Sequence, residues 1–241
     1  MNEKIPAQSF YLLVFSISYF AIVIASHIVF GMHLRPNELV SLPDIIDLIF
    51  YPPIIGVLLY LLYDSTVSKS ASMYEKILYL IFLILHIEGH GIHWSSNALD
   101  VLIEREGISG LVYDFAYFID EIFSHLIMFS SLFIIMVLLI IYEEKYDALD
   151  SSEYYRYPLI SGMIMGFNLL VASIEAQVPY EAISVALILV ALPIYFAKRK
   201  KRSLKEKQAQ LFSLVVGAAI LLLSPIYYVM FGGFIQPSEI F

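Results

Sequence analysis

Long apolar stretches alternate with short polar ones along the chain, and the apolar stretches number seven, at about 9–31, 45–63, 74–99, 112–142, 158–177, 180–197 and 209–232. A helix needs about 20 apolar residues to cross about 30 Å of hydrocarbon, so each stretch is long enough to span. The pattern predicts an all-α fold: a polytopic integral membrane protein of seven transmembrane helices, forming one domain over residues 1–241. The third and fourth stretches exceed what a bilayer requires and should tilt or project beyond it. Pro52 and Pro53 fall inside the second stretch and predict a kink, because each removes a helical donor. No internal repeat is evident, so a transporter built from inverted repeats is not indicated.

The polar connections orient the bundle. Seven spans put the N-terminus and the loops after spans two, four and six on one side. That side holds Lys4, Lys69, Lys76, Lys145, Arg156 and the seven basic residues of 198–207, which is 12 of the 14. Only Arg35 and Arg105 lie opposite, and the positive-inside rule then predicts N-in and C-out. The basic KRKKRSLKEK loop reads most simply as a topology signal. The first stretch lacks a small-x-small cleavage pattern and reads as a retained helix.

Polar residues inside the spans fall on the outer side. His86, His90, His93 and Asn97 occupy one face of the third helix, within about 60° of arc. Counted from Lys76, they rise through the outer half of the membrane at about 1.5 Å per residue. Trp94 follows His93, where an interfacial aromatic is expected. The fourth helix descends with Asp114, Tyr117, Glu121 and His125 on one face, His125 level with His93. Glu121 and His125 have the i,i+4 spacing that suits one shared ion or one hydrogen bond. Glu175 tops the fifth helix at a similar height, two turns above Asn168. His27 tops the first helix, His33 lies just outside, and Asp44, Asp47 and Glu181 stand at the same side. Divided by side, the charges sum to +3 inside and −11 outside, matching the net charge of −8. Such an acidic vestibule concentrates cations.

Composition narrows the chemistry. The mean hydropathy of +0.79 and only 15% charged residues set the chain apart from soluble domains. With no cysteine there is no disulfide, cysteine-ligated iron–sulfur cluster, thiolate zinc site or c-type haem. The seventh stretch carries neither the HxxxH pair of zinc-dependent membrane hydrolases nor a retinal-binding lysine. One histidine box and six histidines fall short of the di-iron desaturase pattern.

The residues therefore point to a membrane-embedded metal-binding protein, and to a metal-dependent enzyme acting on an apolar or lipid substrate from the extracytoplasmic side. The expected ligands are His86, His90, His93 and His125, with Glu121 as a fifth ligand or base. Asp120 and Glu175 are expected to serve as acid/base or supporting groups. Imidazoles with carboxylate suit zinc, iron or copper better than magnesium or calcium. Axial ligation of haem by histidines on two facing helices is the lesser alternative. Two other readings stay open: a cation-binding or transport protein, and a subunit of a larger membrane complex in which the histidines form a hydrogen-bonded polar seam. Expected partners are membrane lipid and other subunits, with no nucleic acid. Glu88 points about 160° away from the ladder and has no assigned role.

Overall fold

The computed structural model describes residues 6–29, 32, 41–67, 71–146 and 152–240, without the side chains of His27, Asp44, Asp47, Ser152, Ser238 and Glu239. His33, Lys4, Arg35 and Lys69 lie outside the described residues, so the readings placed on them are not addressed. The described residues are helical almost throughout. The helices are α1 (Ala7–Ile28), α2 (Leu42–Ile49), α3 (Tyr51–Val67), α4 (Met73–Arg105), α5 (Leu111–Tyr117), α6 (His125–Lys145), α7 (Arg156–Glu175), α8 (Pro179–Lys200), α9 (Gln208–Phe231) and the short α10 (Pro237–Ile240). A π-helical stretch, Phe118–Ser124, joins α5 to α6.

Among the described residues, six helical runs are long and apolar enough to cross a membrane: α1, α4, the run from α5 through α6, α7, α8 and α9. Their large apolar side chains also cover the outside, Leu222 and Val229 on α9 for example, which fits a helical membrane protein. The expected second span differs. It divides at Phe50 into α2 of 8 residues and α3 of 17. Pro52 and Pro53 do not kink a continuous helix; they sit in the first turn of α3, where a missing N–H costs nothing. The third span runs six residues further than expected, to Arg105.

Local chemistry explains where α4 begins. Ser72 accepts from the Glu75 N–H while the Glu75 carboxylate accepts from the Ser72 N–H at 2.9 Å, a reciprocal cap. The same carboxylate takes the Lys145 ammonium at 2.7 Å and the Tyr146 hydroxyl at 2.5 Å, so the start of α4 is tied to the end of α6.

More such ties gather at this end of the bundle. Gln8 at the start of α1 donates to Thr66 at the end of α3 (3.0 Å), and Ser9 donates to Gln208 at the start of α9 (3.1 Å). Lys200 at the end of α8 pairs with Glu144 at the end of α6 (2.7 Å). Glu143 is fully buried, and its two carboxylate oxygens accept the N–H groups of Ala209 and Gln210 at 2.9 and 2.8 Å. These are orphan donors at the start of α9, satisfied by a side chain from another helix. The shared location of these helix ends shows successive long helices running in alternating directions.

Between its ends the bundle is held by apolar packing. α9 packs along both α7 and α8, α1 along α3 and α7, and α4 along α6. Small residues set the closest approaches. A Cβ on Gly166 of α7 would lie 2.8 Å from the Val216 carbonyl of α9, and one on Gly217 would lie 2.6 Å from the Ala186 carbonyl of α8. Helices without a hydrophobic driving force between them associate through such close contacts.

Candidate functional site

At the end opposite the Glu143 cluster, α1, α2, α3, α4, α6 and α7 enclose a cavity of about 270 Å³. His90, His93, Trp94 and Asn97 of α4 line it, with His125 of α6 and Glu175 of α7. The remaining wall is mostly apolar or aromatic: Tyr19, Ile22 and Val23 of α1, Tyr51 of α3, Met128 and Phe129 of α6, Val171 and Ala172 of α7. A few polar groups in an apolar concavity is the usual composition of a small-molecule site.

Glycine brings the histidine-bearing helices together. An added Cβ on Gly89 would meet the backbone N and Cα of Met128 at 2.9 and 3.0 Å. No larger residue fits there, so α4 and α6 touch beside His90. Gly91 has nothing within 4 Å of the equivalent point.

His86 lies just below the cavity and is buried. Its Nδ1 stands 2.9 Å from the Met128 carbonyl and its Nε2 is 3.1 Å from the Tyr51 hydroxyl. A carbonyl only accepts, so Nδ1 carries the proton and Nε2 accepts from Tyr51. Both ring nitrogens are thereby used, and His86 joins α3, α4 and α6 as a seam residue rather than pointing a lone pair into the cavity. Tyr51 continues the contact, its ring lying against that of His90 with centroids 3.6 Å apart and planes inclined by 33°.

The π-helical stretch changes what the helical arithmetic expects of the acidic pair. In an i→i+5 turn the residues advance by less than 100°, so faces computed for an α-helix are displaced. Asp120, expected as an acid/base or supporting group, is buried with Oδ1 2.9 Å from His93 Nδ1. Glu121, expected to face inward with His125, keeps its carboxylate 3.9 Å from His125 Nδ1 and does not line the cavity. It is the Glu121 backbone carbonyl that accepts from His125 Nδ1, at 2.8 Å, leaving that ring's lone pair on Nε2. His93 and His125 are adjacent, with ring centroids 4.7 Å apart.

The structure thus gathers His90, His93, His125, Asp120 and Glu175, and sets His86 and Glu121 aside. Among the described residues no three histidine, aspartate or glutamate side chains converge on a point that would hold one metal ion. Trp94 adds a feature that sequence reasoning missed: its indole N–H is buried with no acceptor among the described residues. Tyr51 was also missed, because an aromatic residue entering an apolar span carries no signal of its partners. The chain matches no known protein family, no curated protein and no solved structure.

Proposed function

We propose that this is a seven-span membrane protein, N-terminus in the cytoplasm, that binds a transition-metal ion in the histidine-lined cavity and uses it on an apolar or lipid substrate entering from the extracytoplasmic half. One observation carries the reading: His90, His93 and His125 line a single cavity with Glu175 from a third helix, in an otherwise apolar wall. Two imidazoles bound to one tetrahedral ion through 2.0–2.1 Å bonds have centroids about 5 Å apart. The 4.7 Å separation of His93 and His125 is close to that. His90, which lies against Tyr51, would be the third nitrogen donor to such an ion once its ring turned toward the cavity.

The surrounding groups take supporting roles. The Asp120 carboxylate beside His93 and the Glu121 carbonyl on His125 orient the rings and raise their basicity, as outer groups do around metal-bound histidines. Glu175 is the intramembrane carboxylate placed to hold or move a proton at the cavity. A bound zinc ion would supply an activated water for hydrolysis; iron or copper would supply redox chemistry. The Trp94 N–H offers a hydrogen bond to an oxygen of the substrate.

The test is elemental analysis of protein purified without chelator or nickel resin, with a visible spectrum. Stoichiometric zinc, iron or copper is the expected result. No bound metal, even after incubation with each ion, contradicts it. A second reading, that the histidines form an assembly seam in a complex subunit, draws on the Tyr51–His86–Met128 bonds and on the absence of convergence among the described donors.

A further inference from the structure

Glu88 is exposed on the outside of α4, opposite the histidine face. Counting from Glu75, whose ion pair with Lys145 marks one end of the bundle, Glu88 lies about 20 Å along the helix at 1.5 Å per residue. Trp94 lies about 9 Å further on. Glu88 therefore sits well within the span, and its side chain is too short to reach either end. It makes no hydrogen bond or ion pair among the described residues.

Its neighbours on that face form a regular strip. Ile77, Ile81, Ile84, Glu88, Gly91 and Ser95 follow one another at spacings of four, three, four, three and four. The three isoleucines are 47, 47 and 55% exposed. Such alternation is the spacing that a left-handed helix pair uses for its seam, with Glu88 as the single charged position within it. Above it, Gly91 has nothing within 4 Å and the Ser95 hydroxyl is folded back onto the Gly91 carbonyl at 2.8 Å. The pair leaves room for another backbone to approach closely. A strip facing only lipid would need no carboxylate, and carboxylates within spans ordinarily face a partner.

We propose that this face of α4 docks a transmembrane helix of another protein, one that carries a lysine or arginine at the depth of Glu88. Charge complementarity selects that occupant over a second copy of this chain. The chain has no basic residue within α1, α3 or α9, and those of α4, α6, α7 and α8 sit at the helix ends. A second copy could only set one Glu88 against another. The proposal is independent of the metal site, which occupies the opposite face of the same helix.

The absence of native cysteine lets one introduced cysteine carry a fluorophore. The labelled full-length protein, in phosphatidylcholine vesicles, is titrated with a labelled leucine–alanine transmembrane peptide bearing one central lysine. The control peptide has leucine in its place. Energy transfer should report association of the lysine peptide about tenfold tighter than the control. Glu88→Leu should abolish that preference, and Gly91→Leu should weaken binding of the lysine peptide. Both changes are on the outer face, so the bundle should elute and insert as the unaltered protein does. Equal binding of the two peptides, or a preference that survives Glu88→Leu, overturns the proposal. Glu88-dependent self-association without a lysine preference also overturns it, in favour of a second copy.

Discussion

Removing the Glu143 carboxylate should be the most damaging single change at the end of the bundle where α6 stops and α9 begins. Glu143 is entirely buried, and its oxygens accept two N–H groups at the start of α9, at 2.9 and 2.8 Å. Hydrogen bonds to a charged group contribute about 1.5–3 kcal/mol each, so the pair alone is a large share of typical stability. Lys207 adds to the loss. It is 2% exposed and donates to the Glu143 backbone carbonyl at 3.1 Å. Burial pushes the Lys207 ammonium below the ordinary lysine range, while Glu143 and then Glu144 pull the other way. In Glu143→Ala the two N–H groups lose their acceptors, and Lys207 loses the attraction of that carboxylate while keeping its bond to the backbone carbonyl of residue 143. Each buried N–H left without an acceptor costs about 1–3 kcal/mol, so the two together set an expected loss of about 2–6 kcal/mol. Glu143→Gln retains one acceptor oxygen and should cost less, about 1–3 kcal/mol. Unfolding in mild detergent, followed by circular dichroism and by the single Trp94, measures both. A Glu143→Ala protein within about 0.5 kcal/mol of the unaltered one would refute the trans-capping arrangement.

Other consequences are equally direct. Gly89→Ala forces a Cβ to within about 3 Å of the Met128 backbone; overpacking of that kind should lower stability by about 1–3 kcal/mol, and an unchanged melting curve would mean that α4 and α6 are not in contact there. His86→Phe removes the bonds that His86 makes to the Met128 carbonyl and the Tyr51 hydroxyl, so stability should fall by about 1–2 kcal/mol while metal content stays the same. Loss of metal in that variant would return His86 to the ligand set. Asp120→Asn should weaken metal binding by about 10–100-fold without unfolding the protein, as changes beside a metal-bound histidine do; competition with a chromogenic chelator reads the affinity, and no change would mean that Asp120 does not act through His93.

Much of the helical frame was legible because hydrophobic length is a strong signal, and α1, the run from α5 through α6, α7, α8 and α9 fall within a few residues of where it places them. Its failure at residues 45–63 has a local cause. Two consecutive prolines look like an interruption in a hydropathy window, yet they are favourable in a helix's first turn, and the chain breaks before them. The shared height expected of His93, His125 and Glu175 agrees with their lining one cavity, because rise per residue fixes relative position along neighbouring helices. Which acidic residue faces the histidines was not legible. Asp120 replaces Glu121 because the π-helical stretch displaces the faces, and nothing in FIDEIFS announces such a turn. The Glu143 cluster was equally hidden: a glutamate at a helix end reads as a solvated charge, and only the placement of α9 shows that it is a cap.

The metal content of three single variants, His90→Ala, His93→Ala and His125→Ala, beside the unaltered protein tests the central claim most directly. Each variant is checked for an unchanged elution profile before metal is counted. The account predicts stoichiometric metal in the unaltered protein and its loss from each variant. Full retention of metal in all three, or none in the unaltered protein after reloading, would contradict a metal centre built from these histidines.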